Sequence, residues 1–114
     1  MIKIKAERKH FQQSWFELEG LTNCSYKIKK QIPLAFNSGC VLAKNEKTKE
    51  LVTWDYYIEL KEDSFIIIFN CGHYTSDLDK AFIDLYERTI KSLEYDITWH
   101  RDRISYNIKN DILD

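Results

Sequence analysis

The clearest hydrophobic pattern in the chain is a strict alternation that begins at Val52. Apolar side chains at every second position predict a β-strand with one buried face. Those positions are Val52, Trp54, Tyr56, Ile58 and Leu60. A polar turn follows, and residues 65–69 are then apolar throughout, which predicts an interior strand covered on both faces.

A helical repeat follows over about residues 77–93. Its apolar and semi-apolar positions recur every three or four residues, which predicts one amphipathic helix that packs on the sheet. These positions are Leu78, Ala81, Phe82, Leu85, Tyr86, Thr89, Ile90 and Leu93. Ser76 is suited to capping the first turn. The predicted solvent face carries Asp77, Asp84, Glu87, Arg88 and Lys91.

Short apolar runs at residues 40–43 and 51–52 flank a charged tip, so residues 39–71 are predicted to form a three-stranded antiparallel meander. Ile2 and Ile4 alternate with lysines, as in an edge strand. Residues 21–38 are predicted to be mostly connection, and the alternation of residues 104–108 favours strands near the C-terminus. The predicted class is α+β, with residues 1–114 forming a single domain.

Composition supports that reading and predicts the compartment. The chain has 114 residues, of which 44% are hydrophobic, enough for one domain with its own core. No apolar leader precedes the charged N-terminal residues, and three widely spaced cysteines do not suit a disulfide framework. These features predict a cytoplasmic protein with reduced thiols and no membrane association.

Charge is distributed unevenly along the chain. Residues 1–54 contain 10 basic and 5 acidic residues, whereas residues 55–114 contain 7 and 13, so the fold could present a basic and an acidic face. Lys27, Lys29 and Lys30 beside Tyr26 are the minimal requirement for binding a nucleic-acid strand. The acidic remainder makes nucleic-acid binding an unfavoured interpretation.

Two short clusters contain residues that could carry chemistry. Cys71 and His73 follow the predicted interior strand, and His100 lies among arginines. Neither cluster has the spacing of a metal site or a nucleophile motif. Cys71 continues the alternation of residues 65–69, which predicts a small core residue. We therefore expect no cofactor, no metal and no catalytic residue. A small hydrolase or nuclease-like enzyme using His73 or His100 remains the alternative.

The acidic residues of the second half are the predicted partner-binding surface. Tyr57 is the large aromatic residue of the strand that begins at Val52 that lies outside the buried alternation. An aromatic ring surrounded by carboxylates could supply the buried contact area and the charge that bind a basic protein. The predicted surface consists of Asp55, Tyr57, Glu59, Glu62, Asp63, Asp84 and Glu87.

In its general character the whole chain resembles bacterial immunity proteins, the small inhibitors that neutralise a cognate toxin domain. Small size, abundant charge and aromatics, and the lack of a chemical motif are the shared features. The resemblance implies a cytoplasmic protein that binds a protein partner, such as a basic toxin domain, and is not an enzyme. An accessory subunit of a larger assembly is a further alternative, and the oligomeric state is left open.

Overall fold

The computed structural model describes the backbone of residues 1–113 and the side chains of residues 1–99, 101 and 102. The chain forms six strands, a short 3-10 helix at Arg8–Gln12 and one long helix. The strands are β1 (Ile2–Lys5), β2 (Thr22–Asn23), β3 (Tyr26–Ala35), β4 (Ser38–Asn45), β5 (Leu51–Lys61) and β6 (Ser64–Thr75), and the helix is α1 (Leu78–Leu113).

The six strands form one antiparallel sheet in the order β1-β6-β5-β4-β3-β2. The sheet curls until its edge strands approach, and the amino group of Met1 before β1 donates to Asn23 Oδ1 on β2 at 2.7 Å. The result is almost a barrel, with helix α1 packed on its outer face. The predicted α+β class and the meander about residues 39–71 are confirmed.

The main hydrophobic core fills the inside of the curled sheet. Alternate residues of β4, β5 and β6 point inward, and the segment between β1 and β2 adds Phe16 and Leu18. Gln31 holds that segment in place. Its side chain accepts from the Leu18 amide at 2.8 Å and donates to the Phe16 carbonyl and to the Tyr56 hydroxyl, at 2.5 and 2.8 Å.

A second, smaller core lies between the outer face of the sheet and helix α1. Ala81 and Leu85 pack on Cys40, Leu42 and Leu51, and Leu85 is fully buried. Asp77, rather than the predicted Ser76, caps the helix. Its Oδ1 accepts from the amides of Asp79 and Lys80 at 3.0 and 3.2 Å.

The prediction of connecting chain over residues 21–38 is wrong, because β3 occupies most of that segment. Register shifts after Ile28 and after Pro33 interrupt its pairing with β4, so its apolar residues do not keep a simple alternation. Pro33 is tolerated because β2 pairs only with the first two residues of β3, Tyr26 and Lys27, and leaves the rest of that edge open.

The prediction of strands near the C-terminus is also wrong. Helix α1 continues to Leu113 and includes residues 104–108. Isoleucines at 104, 108 and 112 have the spacing of one helix face, and that periodicity prevails over the short alternation. No helix among the described residues is both long and apolar enough to cross a membrane.

The predicted orientation of the helix is only partly correct. Arg88 and Asp84 belong to the face that meets the sheet, and Arg88 is buried. Tyr86, Ile90 and Leu93 were expected to pack on the sheet, yet each is about half exposed. The apolar positions form two faces of one helix, of which the sheet covers only one.

Candidate functional site

An open cleft of about 550 Å³ lies where the start of helix α1 meets the outer face of the sheet. Four lysines surround an apolar floor, and we call this feature the lysine-rimmed cleft. It is lined by Lys29, Lys30, Lys44 and Lys49 on the rim, by Leu42, Leu51, Leu78 and Phe82 on the floor, and by Ser76. Its volume is within the usual range for ligand sites.

The lysines come from two neighbouring strands and one turn. Lys29 is the bulge residue between Ile28 and Lys30 in β3. Lys44 is on β4, and Lys49 is in the turn before β5 with a φ of 65°. Lys29 forms an ion pair with Glu46 at 2.5 Å. The hydrogen bond from Lys29 and its charge lower the pKa of the Glu46 carboxyl, and the charges of Lys49 and Lys44 lower it further. No described carboxylate lies within ion-pair distance of Lys30, Lys44 or Lys49.

The floor of the cleft is continuous with the smaller core. Leu42 and Leu51 are buried, whereas Leu78 is 53% exposed. The first helix amides are occupied by the Asp77 carboxylate, so the positive charge of the cleft comes from lysine side chains. Such a site suits an anionic group attached to an apolar body, because the two parts find separate complementary surfaces.

A network of polar side chains centred on Arg88 lies next to the cleft and joins the helix to the sheet. Arg88 Nε donates to Thr53 Oγ1 at 3.1 Å and to Asp84 Oδ2 at 2.9 Å, and Nη1 pairs with Asp55 Oδ1 at 3.2 Å. Nη2 donates to the Cys71 carbonyl, and the Thr53 hydroxyl donates to Asp84. A buried guanidinium is therefore neutralised by two carboxylates, as burial of a charge requires.

The network determines the protonation of its members. Partial burial raises the pKa of Asp84, but hydrogen bonds from Thr53, Arg88 and His73 outweigh burial and lower that pKa to about 2. Burial lowers the pKa of Arg88, and the hydrogen bond to Asp84 and the charge of Asp55 raise it above its usual value. Both groups are charged at neutral pH, so the network is an ion-pair triad.

The bulge in β6 explains the backbone contact of Arg88. Pairing with β5 shifts register between Asn70 and His73, and Cys71 has a φ of 58°. The Cys71 side chain is exposed, so the prediction of a core residue is wrong. The bulge interrupts the alternation that predicted it.

His73 is the other polar residue that this bulge positions. Its Nδ1 lies 2.9 Å from Asp84 Oδ1. Because Asp84 is ionised and can only accept, Nδ1 carries the hydrogen. The imidazole is 62% exposed and lines a shallow pocket with Tyr74, Thr75 and Lys80.

The residues of the predicted partner-binding surface lie on β5, in the turn after it and on helix α1. Asp55 and Asp84 are joined through Arg88. Tyr57 and Glu59 continue the outer face of β5, where they pair in register with Ile68 and Ile66. Glu62 and Asp63 lie in the turn between β5 and β6, and Glu87 is exposed on the helix. That these seven residues bind a partner stays a prediction.

The remaining predicted residues are placed apart from the cleft. His100 is in helix α1, and its side chain is outside the described residues. Lys27 is exposed and pairs in register with Lys44, but it is not among the residues that line the cleft, whereas Lys29 and Lys30 are. Sequence reasoning missed Lys44 and Lys49 as site residues, because only the pairing of β3 with β4 brings them into one cleft with Lys29 and Lys30.

All three cysteines are free, with Cys24 and Cys71 exposed and Cys40 buried. The described residues contain no group of three or more His, Cys, Asp or Glu side chains that could hold a metal ion. Comparison with known proteins finds no family model, curated protein or solved structure that matches this chain.

Proposed function

We propose that this protein is a cytoplasmic inhibitor that binds another protein, as immunity proteins do, and that its lysine-rimmed cleft receives an acidic segment of that partner. The observation that carries the proposal is the combination of four lysines and an apolar floor in one cleft.

The chemistry of the rim favours a peptide segment with several carboxylates. Lysine ammonium groups are flexible point charges that lack the rigid fork with which arginine holds a planar anion. Four of them around one cleft therefore suit carboxylates spread along a chain. An apolar side chain of the same segment would cover Leu42, Leu51 and Phe82 and supply the buried anchor that a protein interface needs.

The surface predicted from the sequence is the rival site, and it would take a basic partner. Two of its carboxylates, Asp55 and Asp84, already pair with Arg88. One of their two negative charges is therefore offset within the fold. Tyr57 is 38% exposed and would be the anchor in this alternative. The cleft is favoured because one nearby carboxylate, Glu46, faces several of its lysines, and no described carboxylate lies within ion-pair distance of Lys30, Lys44 or Lys49.

Site-specific photo-cross-linking in the native cell can identify the partner and the surface together. A photoreactive phenylalanine analogue replaces Leu78 in one variant and Tyr57 in another, and mass spectrometry locates the attached peptide. We expect an acidic peptide attached at position 78. Adding Lys30→Glu and Lys44→Glu should abolish the adduct, whereas Lys91→Glu, which is exposed on the helix outside the cleft, should not.

An inhibitor must also abolish the activity of the protein that it binds. Co-expression of the captured partner with the wild-type chain should protect growth, and co-expression with the Lys30→Glu, Lys44→Glu variant should not. An adduct at position 57 with a basic peptide would move the interface to the rival surface. A captured partner whose activity is unaffected by either chain would refute inhibition.

A further inference from the structure

Helix α1 has a second apolar face that the sheet does not cover. Its five residues are each between 46% and 58% exposed, and we call them the outer stripe: Ile83, Tyr86, Ile90, Leu93 and Ile97. At 3.6 residues per turn, the centre of this stripe lies about 150° around the helix from the face formed by Ala81, Leu85 and Arg88. The outer stripe therefore points away from the sheet.

The outer stripe repeats every seven residues. Ile83, Ile90 and Ile97 occupy the a position of a heptad, and Tyr86 and Leu93 occupy the d position. In the sequence, Ile104 continues the a series. Apolar residues at a and d are the repeat of a coiled coil, and in parallel coiled coils β-branched residues at a favour two strands when leucine is at d, as Leu93 is here, whereas the d positions on either side are Tyr86 and His100. The repeat therefore indicates that another helix covers the stripe.

We infer that the outer stripe binds the outer stripe of a second copy of this chain, with the two α1 helices parallel. Charge complementarity supports a second copy in this orientation. In a parallel pair each g residue faces the e residue five positions later on the other helix. Asp96 of each chain then faces Arg101 of the other chain, so the dimer contains two such pairs of opposite charges. The next pair towards the N-terminus, Thr89 with Glu94, contains no like charges.

An antiparallel pairing is less favourable. The register that places Ile90 of one chain opposite Leu93 of the other also places Glu87 of one chain opposite Glu94 of the other. The two-fold symmetry gives two such pairs of like charges. Like charges at these flanking positions oppose association. The parallel arrangement has no such pair among the described e and g residues from Phe82 to Arg101.

The fold leaves room for this dimer. Because the sheet lies on the opposite side of α1 from the outer stripe, the two sheets would occupy the outer layers and the two helices the inner layers. The lysine-rimmed cleft is lined from the sheet side of the helix and does not include any residue of the outer stripe. The inference therefore stands independently of the proposed function.

Sedimentation velocity of the purified full chain tests the inference. A dimer has twice the 13.7 kDa of one chain, and its fraction should rise with concentration between about 1 and 300 µM by mass action. Ile90→Asp should halve the mass while the far-ultraviolet circular dichroism keeps its strand signal. Lys91→Asp, one residue along and outside both apolar faces, should leave the mass unchanged.

Disulfide trapping tests the orientation. In a background of Cys24→Ser and Cys71→Ser, Leu93→Cys should give a covalent dimer on mild oxidation, because equivalent d positions meet only in a parallel pair. Lys91→Cys in the same background should not. A wild-type chain that is monomeric throughout, a dimer that survives Ile90→Asp, or a dimer that Leu93→Cys does not trap would each overturn the inference.

Discussion

Leu85 and Ile83 lie two residues apart on helix α1 and point in nearly opposite directions, so that Leu85 is fully buried and Ile83 is 58% exposed. Leu85 packs on the outer face of the sheet with Leu42 and Leu51. Ile83 begins the outer stripe. The same helix therefore closes the smaller core of the domain with one face and leaves an apolar surface on the other.

Leu85→Ala should destabilise the domain by about 2–5 kcal/mol, because it removes three buried carbon atoms and leaves a cavity between helix and sheet. Urea unfolding of the variant and of wild type gives the difference. Lys91→Ala, on the exposed side of the same helix, should stay within about 0.5 kcal/mol of wild type. A loss below about 1 kcal/mol for Leu85→Ala would show that a different face meets the sheet.

Stability should fall in acid partly because of Asp84. The folded-state pKa of this carboxyl is about 2, against an ordinary value of 3.8. Its contribution is therefore complete above the ordinary pKa and is lost as the pH falls from about 4 to about 2. Free energies of unfolding across that range should decline less steeply in Asp84→Asn than in wild type. Parallel curves for the two proteins would refute the depressed pKa.

Gln31→Met should cost about 1–3 kcal/mol although it nearly preserves side-chain size, since the buried Leu18 amide and Phe16 carbonyl lose their partner. Their hydrogen bonds to Gln31 fix the segment that closes the inner core. Gln12→Met, at an exposed position, is the matched control. Equal stability of the two variants would show that the segment is held by apolar packing alone.

The three thiols should react at different rates in the folded protein. Cys24 and Cys71 are exposed, so both should be labelled by a maleimide before unfolding. Burial, the charge of Asp55 and a hydrogen bond to its carboxylate raise the pKa of Cys40 to about 11, which suppresses the reactive thiolate. Mass spectrometry should find two labels under native conditions and three in denaturant. Three native labels would contradict the buried position of Cys40.

The central part of the fold could be predicted because its strands alternate without interruption. Trp54 and Tyr56 keep period two along β5, and both are buried on the inner face. Strand β3 was not predicted, because bulges beside Lys29 and Pro33 shift the alternation of apolar and polar residues along it. The bulge at Cys71 has the same effect in β6, where a left-handed residue turns the expected core side chain to solvent.

The candidate site could not be predicted, because its residues meet only through pairing of distant segments. The pairing of β3 with β4 places Lys30 opposite Leu42, two residues from Lys44, and the start of helix α1 closes the cleft. Arg88 was misplaced for a different reason. A charged residue on an amphipathic helix is ordinarily solvent-exposed. The spacing of Asp84 and Arg88 indicates an i,i+4 ion pair, but nothing local reveals that Asp55 will meet Arg88 at the sheet.

The association rate of the captured partner, measured over a series of salt concentrations, tests the central claim most directly. An acidic segment entering the lysine-rimmed cleft should associate more slowly as salt rises, because screening weakens electrostatic steering. At low salt the Lys30→Glu, Lys44→Glu variant should associate far more slowly than wild type, whereas Glu59→Lys, on the rival surface, should not. Salt-independent association, or slower association only in Glu59→Lys, would contradict binding at the cleft.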